Sequence, residues 1–331
     1  MALLARTTRS GAVENEHHGS IAVADAEGRL VGWVGDPHAR FYLRSSAKPL
    51  QALSVVASGA YEAFGIAPKE LAVCCASHSG SLEHQDTVAA LLAKAGLGPE
   101  HLRCGTHVPG DAEARRALEV AGEAPNPLHN NCSGKHAGML LTAQHLGAPL
   151  ETYLSPDHPV QQAILRNISV LSGVPMADIH IGVDGCGAPV HRLPLSAMAT
   201  AFARVASERR LPDALRSAAV AIREATAAHP HIVSSRGDFS ARLIAACHGD
   251  IVAKGGAEAL FCAGFASLGL GFAVKIGDGS FRAMSPIVLR IMALIGVRAA
   301  VRRALAEHER LPIDNCRGEQ VGWVEAAEFG L

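Results

Sequence analysis

The chain has 331 residues, 49% of them hydrophobic, enough for one large core or two moderate ones, which excludes disordered and fibrous classes. Thirty Lys and Arg face 31 Asp and Glu, a formal net charge of -1, with no long block of like charges. Nucleic acid and anionic membranes are therefore not expected as partners.

The opening Met1-Ala2-Leu3-Leu4-Ala5-Arg6 has too short an apolar run for the core of a signal peptide, so a cytoplasmic location is expected. Alternation from Gly19 to Gly35 around Asp25-Ala26-Glu27-Gly28 predicts an antiparallel hairpin. Ser45 to Gly59 reads as a helix that tolerates Pro49 only near its start, which puts Ser45 and Lys48 in the first turn. Cys74 and Cys75 close a short apolar run that reads as a strand ending in a turn of Ser77, His78 and Ser79. The glycine-rich stretch from His129 to Gly138 leads into an apolar helix that Ser133 or Asn131 can cap.

Pro159 opens an amphipathic helix, with Val160, Ile164, Ile168 and Leu171 on one face, that ends around Gly173. Ile179, Ile181 and Val183 mark a strand running into Asp184-Gly185-Cys186-Gly187. Asp213 can cap a helix terminated by Pro230, and two apolar β-type runs with glycine-rich turns fill Asp250 to Ile276. The apolar stretch Pro286 to Val297 contains Arg290 and falls short of the ~20 residues of a spanning helix. Strands at both ends with helices between predict an α+β fold whose sheet is mainly antiparallel, the N-terminal hairpin joining the late strands.

Four segments carry chemistry. In Arg44-Ser45-Ser46-Ala47-Lys48, residues three apart on a helix share a face, so Lys48 can serve Ser45 but not Ser46. A lysine desolvated enough to lose its charge can take a serine proton, and a helix N-terminus favours the developing negative charge. Ser77-His78-Ser79-Gly80 gathers hydroxyls and a histidine on one loop, either a plain turn or a catalytic one. Around Cys132 the Walker spacing is missing, which disfavours a nucleotide. Cys132 and Cys186 could instead supply two thiolates to a tetrahedral zinc completed by a nitrogen and water. Asp184 is either a turn aspartate or a partner for an ammonium group, and Lys254-Gly255-Gly256 invites comparison with the Lys-Thr-Gly element of penicillin-binding enzymes. The remaining cysteines, among eight in all, read as buried thiols.

Arg44-Ser45-Ser46-Ala47-Lys48-Pro49, Ser77-His78-Ser79-Gly80, Asn130 through Gly138 and Val183-Asp184-Gly185-Cys186-Gly187 together resemble the rhizobial-type asparaginase II family, in family order and through nearly the whole chain. The resemblance implies one catalytic domain over 1–331 with a fold similar to serine β-lactamases and glutaminases, and a homodimer. It implies two Ser-Lys pairs, Ser45 with Lys48 and Ser77 with a late lysine, assigned to Lys254 with Lys275 as the alternative. It also implies zinc (Zn2+) held by positions matching Cys132, Lys135 and Cys186, not necessarily needed for the chemical step. The expected reaction is hydrolysis of L-asparagine through an acyl-enzyme on Ser45, with backbone N–H groups near Ser45 as the oxyanion hole. Arg44 or His136 is expected near the substrate α-carboxylate and Asp184 near its α-ammonium.

Three rivals differ in mechanism or class: a cysteine amidase with Cys132 as nucleophile and His136 as base, a hydrolase using zinc-bound water, and a zinc-stabilised protein that binds an amino acid without turnover.

Overall fold

A computed structural model describes residues 1–331. After β1 (Ala2–Arg9), the hairpin signal at Gly28 becomes β2 (Ala12–Asp25) and β3 (Leu30–Val34), with their turn held by Asp25, whose carboxylate accepts from the Arg29 backbone N–H at 2.9 Å. β4 (Arg40–Tyr42), β5 (His180–Val183) and β6 (Pro189–Pro194) form a separate three-stranded sheet in the order β4-β6-β5. Late in the chain follow β7 (Ile251–Gly256), β8 (Leu260–Phe265), β9 (Leu270–Ile276), β10 (Arg310–Asp314) and β11 (Gln320–Ala326).

The large sheet runs β10-β11-β1-β2-β9-β8-β7, with β3 also pairing β2. Every pairing is antiparallel, so the expected α+β class and the union of the N-terminal hairpin with the late strands both hold. The glycine-rich region 250–276 contains three strands rather than two, because Glu258-Ala259 and Leu268-Gly269 each make a tight reversal.

The helix Leu195–Ser207 lies on the sheet against β2, β8 and β9 and is buried nearly all round. Its approach is set by Gly264 on β8, where a Cβ would stand 1.9 Å from the Phe202 carbonyl oxygen. Neither backbone can retreat from that contact. Gly264→Ala is therefore expected to destabilise the protein by at least about 3 kcal/mol, read as a lower urea midpoint; an unchanged midpoint would refute the packing argument.

Beyond this helix stand Lys48–Ala57, Pro68–Cys74, Ser133–His145, Pro159–Ser172 and Asp213–Ala228, packed on one another. One apolar cluster of 84 buried residues connects them to the sheet. Local expectations need four corrections. Ser45 sits in a 3-10 turn, Arg44–Ala47, and the α-helix begins at Lys48. The run ending at Cys74 is a helix rather than a strand, because Pro68 and Glu70 give it a strong start. Ser133–His145 has Cys132 at its N-cap and no side-chain cap, since Ser133 is drawn off to His78. Asp213 is the first residue of its helix rather than the cap, and Pro230 opens a further short helix. The helix Pro159–Ser172 ends as expected on Gly173, at φ +74°. Met284–Leu294 carries the most apolar stretch as a core helix, and no helix is long and apolar enough to cross a membrane.

Candidate active site

Helix Lys48–Ala57 runs through the middle of the helical layer, and every residue from Lys48 to Val56 is buried. Its first side chain is thereby fully desolvated, which lowers the Lys48 ammonium below its ordinary value; neighbouring Lys135 lowers it further and Cys132 works the other way. Lys48 Nζ lies 2.6 Å from the Ala76 carbonyl oxygen, 2.9 Å from Ser77 Oγ and 3.2 Å from the Asn131 carbonyl oxygen. A neutral amine has two N–H groups and one lone pair. With its protons on the two carbonyls, the lone pair faces the Ser77 hydroxyl.

Asn131 reaches this position because helix Ser133–His145 crosses the end of helix Pro68–Cys74 at Gly134, where a Cβ would lie 2.2 Å from the Val73 carbonyl oxygen. The Ser77 loop is held to it by His78, whose backbone N–H donates to the Asn131 carbonyl and whose Nε2 lies 2.9 Å from Ser133 Oγ. His78 in turn stacks on His84 with ring centroids 4.8 Å apart.

Ser45, one turn before Lys48, is half-buried, and its hydroxyl makes no hydrogen bond within the protein. Arg44 beside it has φ +47°, a strained conformation for a non-glycine residue. Its guanidinium is clamped to Asp184 by a 2.7 Å bond from Nε to Oδ1. Burial alone would raise Asp184, but Lys135, Arg44 and the Gly185 N–H hold it below the ordinary carboxylate value. The two residues expected to receive opposite ends of a substrate thus face each other. Of the N–H groups near Ser45, that of Ser46 is already bonded to Leu43.

β7 passes against the Arg44–Ala47 turn and brings in Lys254. This lysine is 4% exposed and Nζ donates to the Gly255 carbonyl at 2.9 Å. Burial first, then the charge of Lys48, lower it to about 7. Lys275, by contrast, sits on β9 with Nζ bonded to the Glu258 and Ile276 carbonyls, outside this buried group.

Lys135 Nζ lies 3.0 Å from Cys186 Sγ. The Cys132 thiol is drawn well below its ordinary value by a bond from Cys186, against burial and with help from Lys48 and Lys135; Cys186 is correspondingly raised. Two sulfurs and one amine thus lie together, but although burial lowers Lys135, Cys132 and Cys186 raise it above its ordinary value, so it serves as a zinc ligand only if a metal displaces a firmly held proton. No group of three or more His, Cys, Asp or Glu side chains that could hold a metal ion is present.

His136 lies fully buried behind this group, Nδ1 2.6 Å from the Tyr153 hydroxyl and Nε2 without a partner. The Cys132 thiol is influenced by Cys186, Lys48 and Lys135, and its link to His136 is through the backbone, the His136 N–H donating to the Cys132 carbonyl at 3.1 Å. Sequence reasoning missed Tyr153, which no motif marks, and the carbonyls of Ala76 and Asn131, which no side-chain reading can reveal. A hollow of about 480 Å³ adjoins the Ser77 loop through Ser79 but is lined by none of Ser45, Lys48 and Lys254.

The family model described as L-asparaginase II matches residues 5–326. The chain matches no curated protein. Among solved structures it is similar to Mglu in its native form, at 14% identity and TM-score 0.42, over 88% of this chain and 62% of that one. It is also similar to a β-lactamase (Mb2281c) from Mycobacterium bovis, at 14% identity and TM-score 0.39, over 88% of this chain and 94% of that one. A third, the D-alanine carboxypeptidase AmpC from Burkholderia cenocepacia, has 14% identity and TM-score 0.40 over the same shares, 88% and 94%. The chain spans less than two thirds of the length of Mglu.

Proposed function

This chain belongs to the L-asparaginase II family, an amidohydrolase family, and we propose that it hydrolyses L-asparagine to L-aspartate and ammonia by Ser-Lys chemistry. The observation that carries the reading is Lys48: a fully buried amine within 2.9 Å of a serine hydroxyl, with two carbonyls to hold its protons. Burial lowers such an amine toward the neutral form that can accept a hydroxyl proton.

In the proposed sequence Ser45 attacks the side-chain amide carbon, its proton passes to Lys48, the carbon–nitrogen bond breaks and ammonia leaves with a proton relayed through Ser77 and Lys254. Water then attacks the Ser45 ester, giving up a proton to Lys254, while Lys48 returns its proton to Ser45 Oγ as the ester bond breaks and aspartate leaves. Ser45 suits the attack because its hydroxyl is partly exposed and bonded to nothing else. A second reading, with Ser77 as the nucleophile, is favoured by the direct approach of Lys48 Nζ to Ser77 Oγ. Substrate recognition would open the Arg44–Asp184 pair, the guanidinium turning to the α-carboxylate and the carboxylate to the α-ammonium. His136, sealed behind Tyr153, would then hold the site's shape rather than touch substrate.

Zinc belongs to the same proposal, held by Cys132, Lys135 and Cys186. When bound it would supply positive charge in place of the Lys135 proton and order the neighbouring loops. A working homodimer, a cytoplasmic location and a single catalytic domain over 1–331 complete the reading. Ammonia release from asparagine and from glutamine, measured with added zinc and after chelation, tests it together with metal content by mass spectrometry. Release from asparagine that survives chelation, with about one zinc per chain beforehand, is the expected result. No release from asparagine under any condition would overturn the reading.

A further inference from the structure

Lined by neither Ser45 nor Ser77 nor the two buried lysines, a hollow of about 180 Å³ opens where the three-stranded sheet meets the β7–β8 turn and β9. Its walls carry four cations, Arg40, Arg44, Arg192 and Lys275, with the rings of Phe41 and Tyr42 and the single carboxylate of Glu258. We propose that this hollow binds a small dianion, a dicarboxylate or a phosphate, beside the candidate active site, with which it shares Arg44.

The strand register makes the cluster. β4 pairs β6 with Tyr42 opposite Arg192, so Arg40, Tyr42 and Arg192 stand on one side of the sheet and Phe41 on the other, and the hollow draws on both because β4 is an edge strand. Lys275 comes from β9, with Nζ 5.9 Å from the centre of the Phe41 ring.

These cations are underpartnered. Arg192 is exposed and its guanidinium makes no hydrogen bond or ion pair. Arg40 donates to the Asp178 backbone carbonyl at 2.8 Å, and Lys275 only to backbone carbonyls of Glu258 and Ile276. Arg44 alone has a carboxylate partner, Asp184. Elsewhere the chain sets cations directly against carboxylates, as in Arg29 with Asp25, Arg223 with Glu208 and Lys94 with Glu70. In a chain of net charge -1, crowding four positive groups about one hollow raises its free energy when empty, and an anion removes that repulsion. Arginine is the side chain whose paired N–H donors match carboxylate and phosphate oxygens. A hollow of about 180 Å³ has room for phosphate or a four-carbon dicarboxylate. Because Arg44 lines the hollow and also holds Asp184, a bound anion competes with Asp184 for its guanidinium.

Binding is independent of whether the chain hydrolyses asparagine, so calorimetric titration with inorganic phosphate and with succinate tests it directly. Wild type should bind at least one of the two saturably, and which one binds identifies the ligand chemistry. Arg192→Gln should weaken that binding at least about tenfold, Arg192→Lys by less, and Arg166→Gln, which removes an exposed charge from a distant helix, should leave it unchanged. Added sodium chloride should weaken it through screening. Absence of saturable binding by both anions would overturn the proposal, as would equal affinity in wild type and Arg192→Gln with both variants shown folded by their thermal transitions.

Discussion

Lys48→Met is expected to lower kcat for asparagine hydrolysis by about 10³ or more while KM changes little, because the lost group acts on the proton of the nucleophile and not on the ground-state substrate. Methionine keeps the length of the buried side chain and removes the lone pair. It also leaves the Ala76 carbonyl without Nζ, while that of Asn131 keeps the His78 N–H, so a loss of stability of about 1 kcal/mol, offset in part by removal of a buried amine, should accompany the loss of rate. The nucleophile is then separated by trapping: rapid acid quench and intact-mass measurement should find an acyl adduct on wild type and on Ser77→Ala, and none on Ser45→Ala. The reverse pattern would assign the attack to Ser77, whose oxygen is the one Lys48 approaches. Full activity in Lys48→Met would remove the Ser-Lys mechanism altogether.

Lys254→Met should do two opposite things, cutting activity by about 10² or more and stabilising the fold at pH 7. An unfolded lysine keeps its proton to about 10.4, whereas folding lowers Lys254 to about 7 by burial and by the nearby Lys48. Between those two values the unfolded chain binds more protons than the folded one, so stability from this residue rises with pH across the window and is lowest at and below 7. Replacing it with methionine should therefore add about 2–4 kcal/mol at pH 7, with the gain shrinking to near zero above pH 10. Urea midpoints of the two proteins across pH measure this, and a constant difference would show that Lys254 is not titrating as placed. Activity carries the same mark. If the neutral amine is the working form, kcat/KM of wild type should rise through about pH 7, and the rise should be absent from the residual activity of Lys254→Met.

Much of the fold could be read because its signals are local. The Gly28 turn, the Pro159 start and the Gly173 stop each depend on backbone geometry that one residue dictates. The helix ending at Cys74 was misread as a strand because Leu71, Ala72, Val73 and Cys74 are apolar on all sides, and a fully buried helix loses the period that would distinguish it.

The site divides in the same way. Ser45 and Lys48 were close by spacing, yet their mutual geometry depended on which acceptor the buried amine would find, and two of its three partners are main-chain oxygens brought in from residues 76 and 131. Arg44 and Asp184 were both legible as charged groups for a substrate; that they lie 2.7 Å apart follows from the small sheet, where β4 and β5 flank β6. Lys254 and Lys275 looked alike as lysines on late strands. Their distinction rests on where each strand lies, β7 against the Arg44–Ala47 turn and β9 beside β2 in the middle of the sheet.

The candidate machinery is gathered from segments far apart in the chain, with Lys254 on an edge strand added to the sheet beyond β8. A ribosome will therefore have emitted Ser45, Ser77, Cys132 and Cys186 well before the final amine exists. Until β7 zips onto β8, the half-made protein lacks the last side chain that the proposed chemistry requires.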